Sequence, residues 1–413
     1  MTNNNFFILI FGIIFSQKII IVGEIYVGEL ISLVYVFFNL FNLKYSDFEK
    51  KLISYTIFIV IFLFLLNFYH GTDIDKSLKG SFSYITFTTC IIYLLRYLGK
   101  FEDFKKPILF FIGLILGRFV FLFYSVDFLP LFLYNPWKFG IGISIIQFCL
   151  IIPLFYKKHL PIKFWLFFVS IIIYISFANN SRGLPFILIL AFVPYILFFK
   201  SRKRSLKFFN KKRTFMLLPL LYFFIVMFSG LIIAKINPIN SSSVVFEKMA
   251  EKNIKQSQGS FGVTLSARSP LLDAFYAIKD RPFLGHGSYP KDKDAFYRMK
   301  GLEFLYKYDY IDTIPNPKFF ERFFELIING HSVLFDSMVS AGLLGAVFWI
   351  FITFFIVKNY ANYAHLLPFF FHFLIGFFIY SLFFDPWSSS TRHAISITIV
   401  FLIIFINLLN KNK

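Results

Sequence analysis

The chain has 413 residues, 58% of them hydrophobic and 65 of them phenylalanine, and a mean hydropathy of +0.70, which excludes a water-soluble globular domain. The net charge of +20 would point to nucleic acid in a soluble protein, but here the basic residues are grouped between apolar runs, which excludes that partner. The two cysteines, Cys90 and Cys149, fall inside apolar runs and exclude a disulfide framework or a thiolate metal site.

In chain order, twelve apolar runs are each expected to cross a hydrocarbon core about 30 Å thick as a helix: 6–22, 25–43, 52–69, 80–98, 107–126, 139–156, 164–178, 183–199, 215–234, 334–356, 367–384 and 394–409. An open sheet edge cannot sit in lipid, and the runs do not alternate as barrel strands do. The expected fold class is an all-α polytopic membrane protein of about 12 transmembrane helices with one large insert containing short helices. The start, Met1-Thr-Asn-Asn-Asn-Phe, lacks the basic region and cleavage site of a signal peptide, so 6–22 is expected to remain as the first span.

Basic clusters at 44–51, 100–106, 157–163, 200–213 and 411–413 all lie on one side if the spans alternate. The positive-inside rule makes that side the cytoplasm. Both termini are then cytoplasmic, in a multi-pass protein whose insert 235–332 faces outward. The chain divides into an N-terminal bundle of about six spans (1–163), spans 7–9 (164–234), the outer insert (235–332) and spans 10–12 (333–413). The first six spans read as poor in intramembrane polar groups, and the candidate functional residues fall in the second half.

Within the insert, 265–279 reads as an amphipathic helix with Leu271, Leu272, Phe275 and Ile278 at helical spacing and Arg268 in its first turn. Asp280-Arg-Pro-Phe-Leu-Gly-His-Gly287 ends it, since proline and glycine cannot continue a helix. Residues 288–317 read as turn-prone, and 319–328 as a second short helix stopped by Asn329-Gly330. Asp273, Asp292, Asp294 and Asp309 read as a charged, solubilising surface, and His286 as solvated.

His331 opens the run that re-enters the membrane, and Gly342 follows eleven residues later, nearly on the same face of a helix. Gly342 would let a neighbouring helix approach closely and fix the helix that carries His331. A first-turn histidine is favoured neutral by the helix dipole, so it suits a general base. Its bland alternative is an interfacial hydrogen bond, or a cap supplied by Ser332. Arg182 and Arg392 lie at the outer ends of spans, and Arg268 and Arg281 bracket the insert helix. Guanidinium groups match phosphate oxygens bidentately, although a single interfacial arginine more commonly snorkels to headgroups. Arg118, near the middle of the fifth run, is expected to face the bundle interior. No His, Asp, Glu or Cys grouping has the spacing of a metal site, and no cofactor is called for.

Taken together, Asn-Ser-Arg-Gly183, Ser266-Ala-Arg268 with Leu271-Leu272, Arg281-Pro-Phe-Leu-Gly-His-Gly287 and His331-Ser with Gly342-Leu-Leu-Gly345 resemble the O-antigen ligase and polymerase superfamily of bacterial cell envelopes. The resemblance runs over about 165–400, in order, with His331-Ser332 where the family often has His-Asn. It implies a GT-C-like glycosyltransferase of the bacterial inner membrane, working on its periplasmic side in lipopolysaccharide or surface-polysaccharide biosynthesis. The donor would be a saccharide on undecaprenyl pyrophosphate, and the other implied partners are membrane lipid, chain-length regulators and further polysaccharide-assembly proteins. On this reading His331 deprotonates the acceptor hydroxyl, Arg268 acts beside it, Arg182, Arg392 and Arg281 meet the pyrophosphate, and Gly342 is structural. Polymerase and ligase share these motifs. The tyrosine-rich, polar insert suits saccharide on both donor and acceptor sides and favours polymerase. A polysaccharide transporter or flippase would show a repeat and charges along an ion path, neither of which is evident.

Overall fold

In the computed structural model, residues 3–20, 24–124, 137, 142–155, 161–178, 183–201, 269–308, 327–328 and 330–411 are described. The chain opens with α1 (Asn3–Phe15), a hairpin of β1 (Lys18–Ile20) and β2 (Glu24–Tyr26), and α2 (Val27–Asn39). Next come α3 (Asp47–Tyr69), α4 (Ile74–Leu98), α5 (Lys105–Tyr124), α6 (Gly142–Phe155), α7 (Ile162–Ala178) and α8 (Gly183–Ser201). The insert contributes α9 (Ser269–Asp280) and α10 (Phe296–Lys307), and the chain ends with α11 (Val333–Tyr363), α12 (Phe369–Phe384) and α13 (Ser389–Lys411).

Among the described residues, α3, α4, α11 and α13 are long and apolar enough to cross a membrane. The predicted first two runs are broken by the antiparallel hairpin, in which Lys18 faces Tyr26 and Ile20 faces Glu24. Lys18 and Glu24 form an ion pair across it, so two charges that lipid would reject are matched at the end of the bundle. That leaves α1 and α2 with 13 residues each, about 20 Å of helix.

α4 is the centre of the bundle, packed on α2, α3 and α13. It buries Ser77, Ser81, Ser83, Tyr84, Thr86, Thr88 and Thr89, and Thr56 of α3 is hydrogen-bonded to Thr88 at 2.6 Å. The N-terminal half is therefore richer in interior polar groups than the sequence reading expected. Buried serine and threonine hydroxyls can return their hydrogen bonds to the helix backbone, as Thr86 does to Phe82 O at 2.9 Å, and so leave no trace in hydropathy. Arg118 does face the interior: its Nη1 donates to Gln147 Oε1 of α6 at 3.2 Å.

The two ends of the bundle are chemically distinct. At one, the sequence Ser46-Asp-Phe-Glu49 forms a capping box that starts α3, and Arg96 pairs with Glu49 at 2.7 Å. At the other, reached after the 23 residues of α3, the insert docks. Asn67 holds it there, accepting from Ser288 N at 2.7 Å and donating to Ser288 Oγ at 3.0 Å.

The insert departs from expectation in three places. The buried face of α9 is Leu272, Asp273, Ala274 and Ala277, while Phe275 is 56% exposed. The helix is held between two neighbours, so its apolar stripe is split rather than single. Residues 296–307, expected as turns, form α10, which packs Leu302 and Leu305 on Leu272. Ile327, expected at the end of a helix, instead bridges to Lys291. Residues 319–326 of that expected helix lie outside the described residues.

Candidate functional site

The re-entry carrying His331 is built from the backbone outward. Ser332 is the N-cap of α11, its Oγ accepting from Phe335 N at 3.2 Å and donating to Leu382 O of α12 at 2.9 Å. His331 therefore precedes the helix instead of beginning it, and its backbone is left-handed at φ 46, a conformation a histidine holds only when its surroundings fix it. Those surroundings include Asp336. Its Oδ1 accepts from Gly330 N at 2.6 Å, and its Oδ2 accepts from Trp387 N at 2.8 Å. One carboxylate thus ties the residue before His331 to the turn between α12 and α13.

Gly342 does not carry a continuous helix. At φ 57 and ψ −140 it breaks α11, and the partner it admits is a loop, not a helix. A Cβ at Gly342 would stand 2.3 Å from Phe283 O, and one at Gly285 would stand 2.6 Å from Gly342 N. The turn 283–287 is laced to the break by backbone bonds: His286 N to Val339 O at 2.7 Å, Gly287 N to Ser340 O at 3.0 Å and Leu343 N to Phe283 O at 3.3 Å. His286 is half-buried rather than solvated, with Nε2 2.9 Å from Ala277 O. Burial first, and the Arg281 charge with it, lower its pKa, which the Ala277 carbonyl only partly offsets.

A cavity of about 770 Å³ opens beside this re-entry. Leu30, Leu33, Leu63, Leu78 and Phe82 form an apolar wall, and Ser83, Tyr289, Asp336, Ser389 and Arg392 supply a polar floor. Arg392, buried at 7% exposure, donates from Nε to Glu29 Oε1 at 2.7 Å and from Nη2 to Glu29 Oε2 at 2.9 Å. Ser389 donates to Glu24 Oε2 at 3.0 Å. Burial acts to raise the Glu24 pKa, but Lys18, Ser389 and the Arg392 charge together hold it below the ordinary carboxylate range. Burial raises the Tyr289 phenol, with the Arg392 charge opposing.

Of the residues singled out in the sequence, Arg392 lines this cavity, and His331 adjoins Gly330, which the cavity's Asp336 holds. Arg281 is elsewhere, with Nη1 against the His70 ring at 3.1 Å and Nε 3.9 Å from Asp280. Arg182 and Arg268 lie outside the described residues. Asp273 and Asp292 are not a solubilising surface. Asp273 pairs with Arg298 at 3.0 Å, and Asp292 accepts from Tyr297 N and Arg298 N at the start of α10. Asp294 is exposed, and Asp309 lies outside the described residues.

The sequence reading missed Glu24, Glu29 and Asp336. Glu29 carried a usable signal, because a carboxylate inside an apolar run is expensive unless it is paired. That its partner is Arg392, 363 residues away, had no signal in the sequence.

Residues 166–350, less than half of the chain, match the family model described as O-antigen ligase. No curated protein and no solved structure matches the chain. Within the matched stretch lie Tyr289 and Asp336; Glu24, Glu29, Ser83 and Arg392 come from outside it.

Proposed function

We propose that this membrane protein, which belongs over residues 166–350 to the O-antigen ligase/polymerase superfamily, polymerises saccharide repeat units carried on undecaprenyl pyrophosphate. The transfer takes place at the periplasmic face of the inner membrane. The observation that carries this reading is the cavity, whose apolar wall suits a polyprenyl chain and whose polar floor lies beside the His331 turn. In the reaction, the acceptor hydroxyl attacks the anomeric carbon. Its proton passes to the His331 imidazole, and the bond from that carbon to the phosphate oxygen breaks with its electron pair leaving on undecaprenyl pyrophosphate. In-line attack inverts the anomeric carbon. Arg182, Arg268 and Arg392 are assigned to the charge that develops on the leaving group, work arginines can do without a metal. Arg281, on His70, is assigned to the pyrophosphate entry route.

Purified protein given only lipid-linked repeat units should build a ladder of lengthening chains. His331→Ala should slow it by about 10²–10⁴, the usual cost of losing a general base. The description of the matching family model favours a second reading, ligation of the finished glycan to lipid A-core. Deleting the gene separates the two. Single repeats left on the core support the polymerase. A bare core with long chains accumulating on the carrier replaces it with the ligase.

A further inference from the structure

A second cavity, of about 520 Å³, lies in the insert between α9 and α10. Its lining contains no aliphatic side chain. Tyr276, Phe304 and Tyr308 supply ring faces, and the last two are paired at 4.7 Å. Lys279, Lys300 and Lys307 supply cations, with Lys300 Nζ held 4.0 Å over the Phe296 ring. Asp280 and Glu303 supply carboxylates, and Asp280 already accepts the Tyr297 hydroxyl at 2.7 Å.

That composition selects its ligand. A partner helix or lipid tail would need an apolar floor, and Leu272, Leu302 and Leu305 are already packed on one another beneath the groove. A phosphate headgroup would engage the lysines but leave the ring faces and the carboxylates without a partner. A saccharide satisfies all three kinds of side chain: its C–H faces lie on aromatic rings, its hydroxyls donate to carboxylates, and ring oxygens or acidic substituents accept from lysines.

The groove is also connected to the reaction turn. α9 presents Tyr276 and Lys279 to it and packs Ala274 and Ala277 on Ile328, Phe335 and Val339 from the other side. A Cβ at Gly330 would stand 3.1 Å from Ala274 Cβ. One helix, about 10–12 Å across with its side chains, separates the groove from the residue next to His331.

We propose that the cleft between α9 and α10 is a saccharide subsite that holds acidic sugar units of the glycan one helix away from the transfer centre. This rests on the proposed glycosyltransferase reading and specifies where the chain lies on the insert. The probe is the oligosaccharide released by mild acid from the carrier lipid of the source cells, titrated against the full-length protein in nanodiscs without carrier lipid. Free glycan reads the groove, while the ladder assay reads the transfer, so the two can fail separately. Wild-type protein should bind the probe, more weakly as salt is raised, and Tyr276→Ala with Phe304→Ala should weaken binding at least tenfold. Their ladder should stop at shorter chains. Lys300→Glu, at a half-buried position of α10, leaves the Phe304–Tyr308 pair in place and should weaken binding alone. Undiminished binding in both variants overturns the subsite. So does a lysine-dependent attachment to anionic vesicles with glycan binding intact, which would make the cleft a membrane contact.

Discussion

Arg392 shows how a residue chosen for its chemistry is redefined by its neighbour. The sequence presents it as a free guanidinium at the mouth of the last span, but it is bound on two nitrogens by a Glu29 that is 0% exposed. Removing one partner of a buried pair typically costs about 3–5 kcal/mol, mostly the penalty for the charge left behind, so Glu29→Ala and Arg392→Ala should both reduce the folded yield. The swapped pair, Glu29→Arg with Arg392→Glu, should restore folding without restoring transfer, because on the proposed assignment of Arg392 a carboxylate would then face the leaving phosphate. Recovery of the ladder in the swapped protein would make the pair purely structural. Asp273 permits a pH test at the same scale. Burial outweighs the Arg298 partner and pushes its pKa up to about 6, above its unfolded value near 4. The folded insert then binds that proton more tightly, so the group's contribution to stability is complete below about pH 4 and is lost as pH rises through about 6. Hydrogen exchange of α9 and α10, corrected for its intrinsic pH dependence, should show protection falling over that interval. Asp273→Asn should flatten the response, and an unchanged slope would sink the assignment.

At the scale of elements, the decisive feature is the break in α11. The sequence carried Gly342 as a place of close approach, and that holds, but the approaching group is the 283–287 turn and the helix does not run through. Period alone cannot detect this, since apolar residues at 3.6 spacing continue on both sides of the break. Gly342→Ala must fit a Cβ 2.3 Å from Phe283 O at φ 57, so it should detach the turn, lower thermal stability and abolish transfer together. Gly342→Ala with wild-type melting and activity would show that the break is dispensable. The hairpin between α1 and α2 teaches the same lesson in reverse. Gln17-Lys18 fall inside the run 6–22, expected as a continuous span, but the Lys18–Glu24 match across the hairpin was visible only once both were placed.

For the whole molecule, the cavity, the His331 turn and the docked insert share one end of the bundle, opposite the Arg96–Glu49 end. If the positive-inside rule sets the orientation, that shared end is periplasmic. A cysteine at Lys203 should resist a membrane-impermeant thiol reagent in intact cells, and one at Lys293 should react. Equal labelling of both would overturn the alternating arrangement. The sequence by itself determined the membrane class, the motifs that match the O-antigen ligase model over 166–350, and the start of α11 at Ser332. Those rest on composition, run length and short motifs, which survive without knowledge of contacts. Tertiary structure alone decided that Glu29 pairs with Arg392, that Asp336 fixes the backbone before His331, and that α2 and α4 wall the cavity. Each joins residues from different helices, and in a bundle where almost every helix is apolar the pattern along one helix does not encode which neighbour its few polar groups will meet.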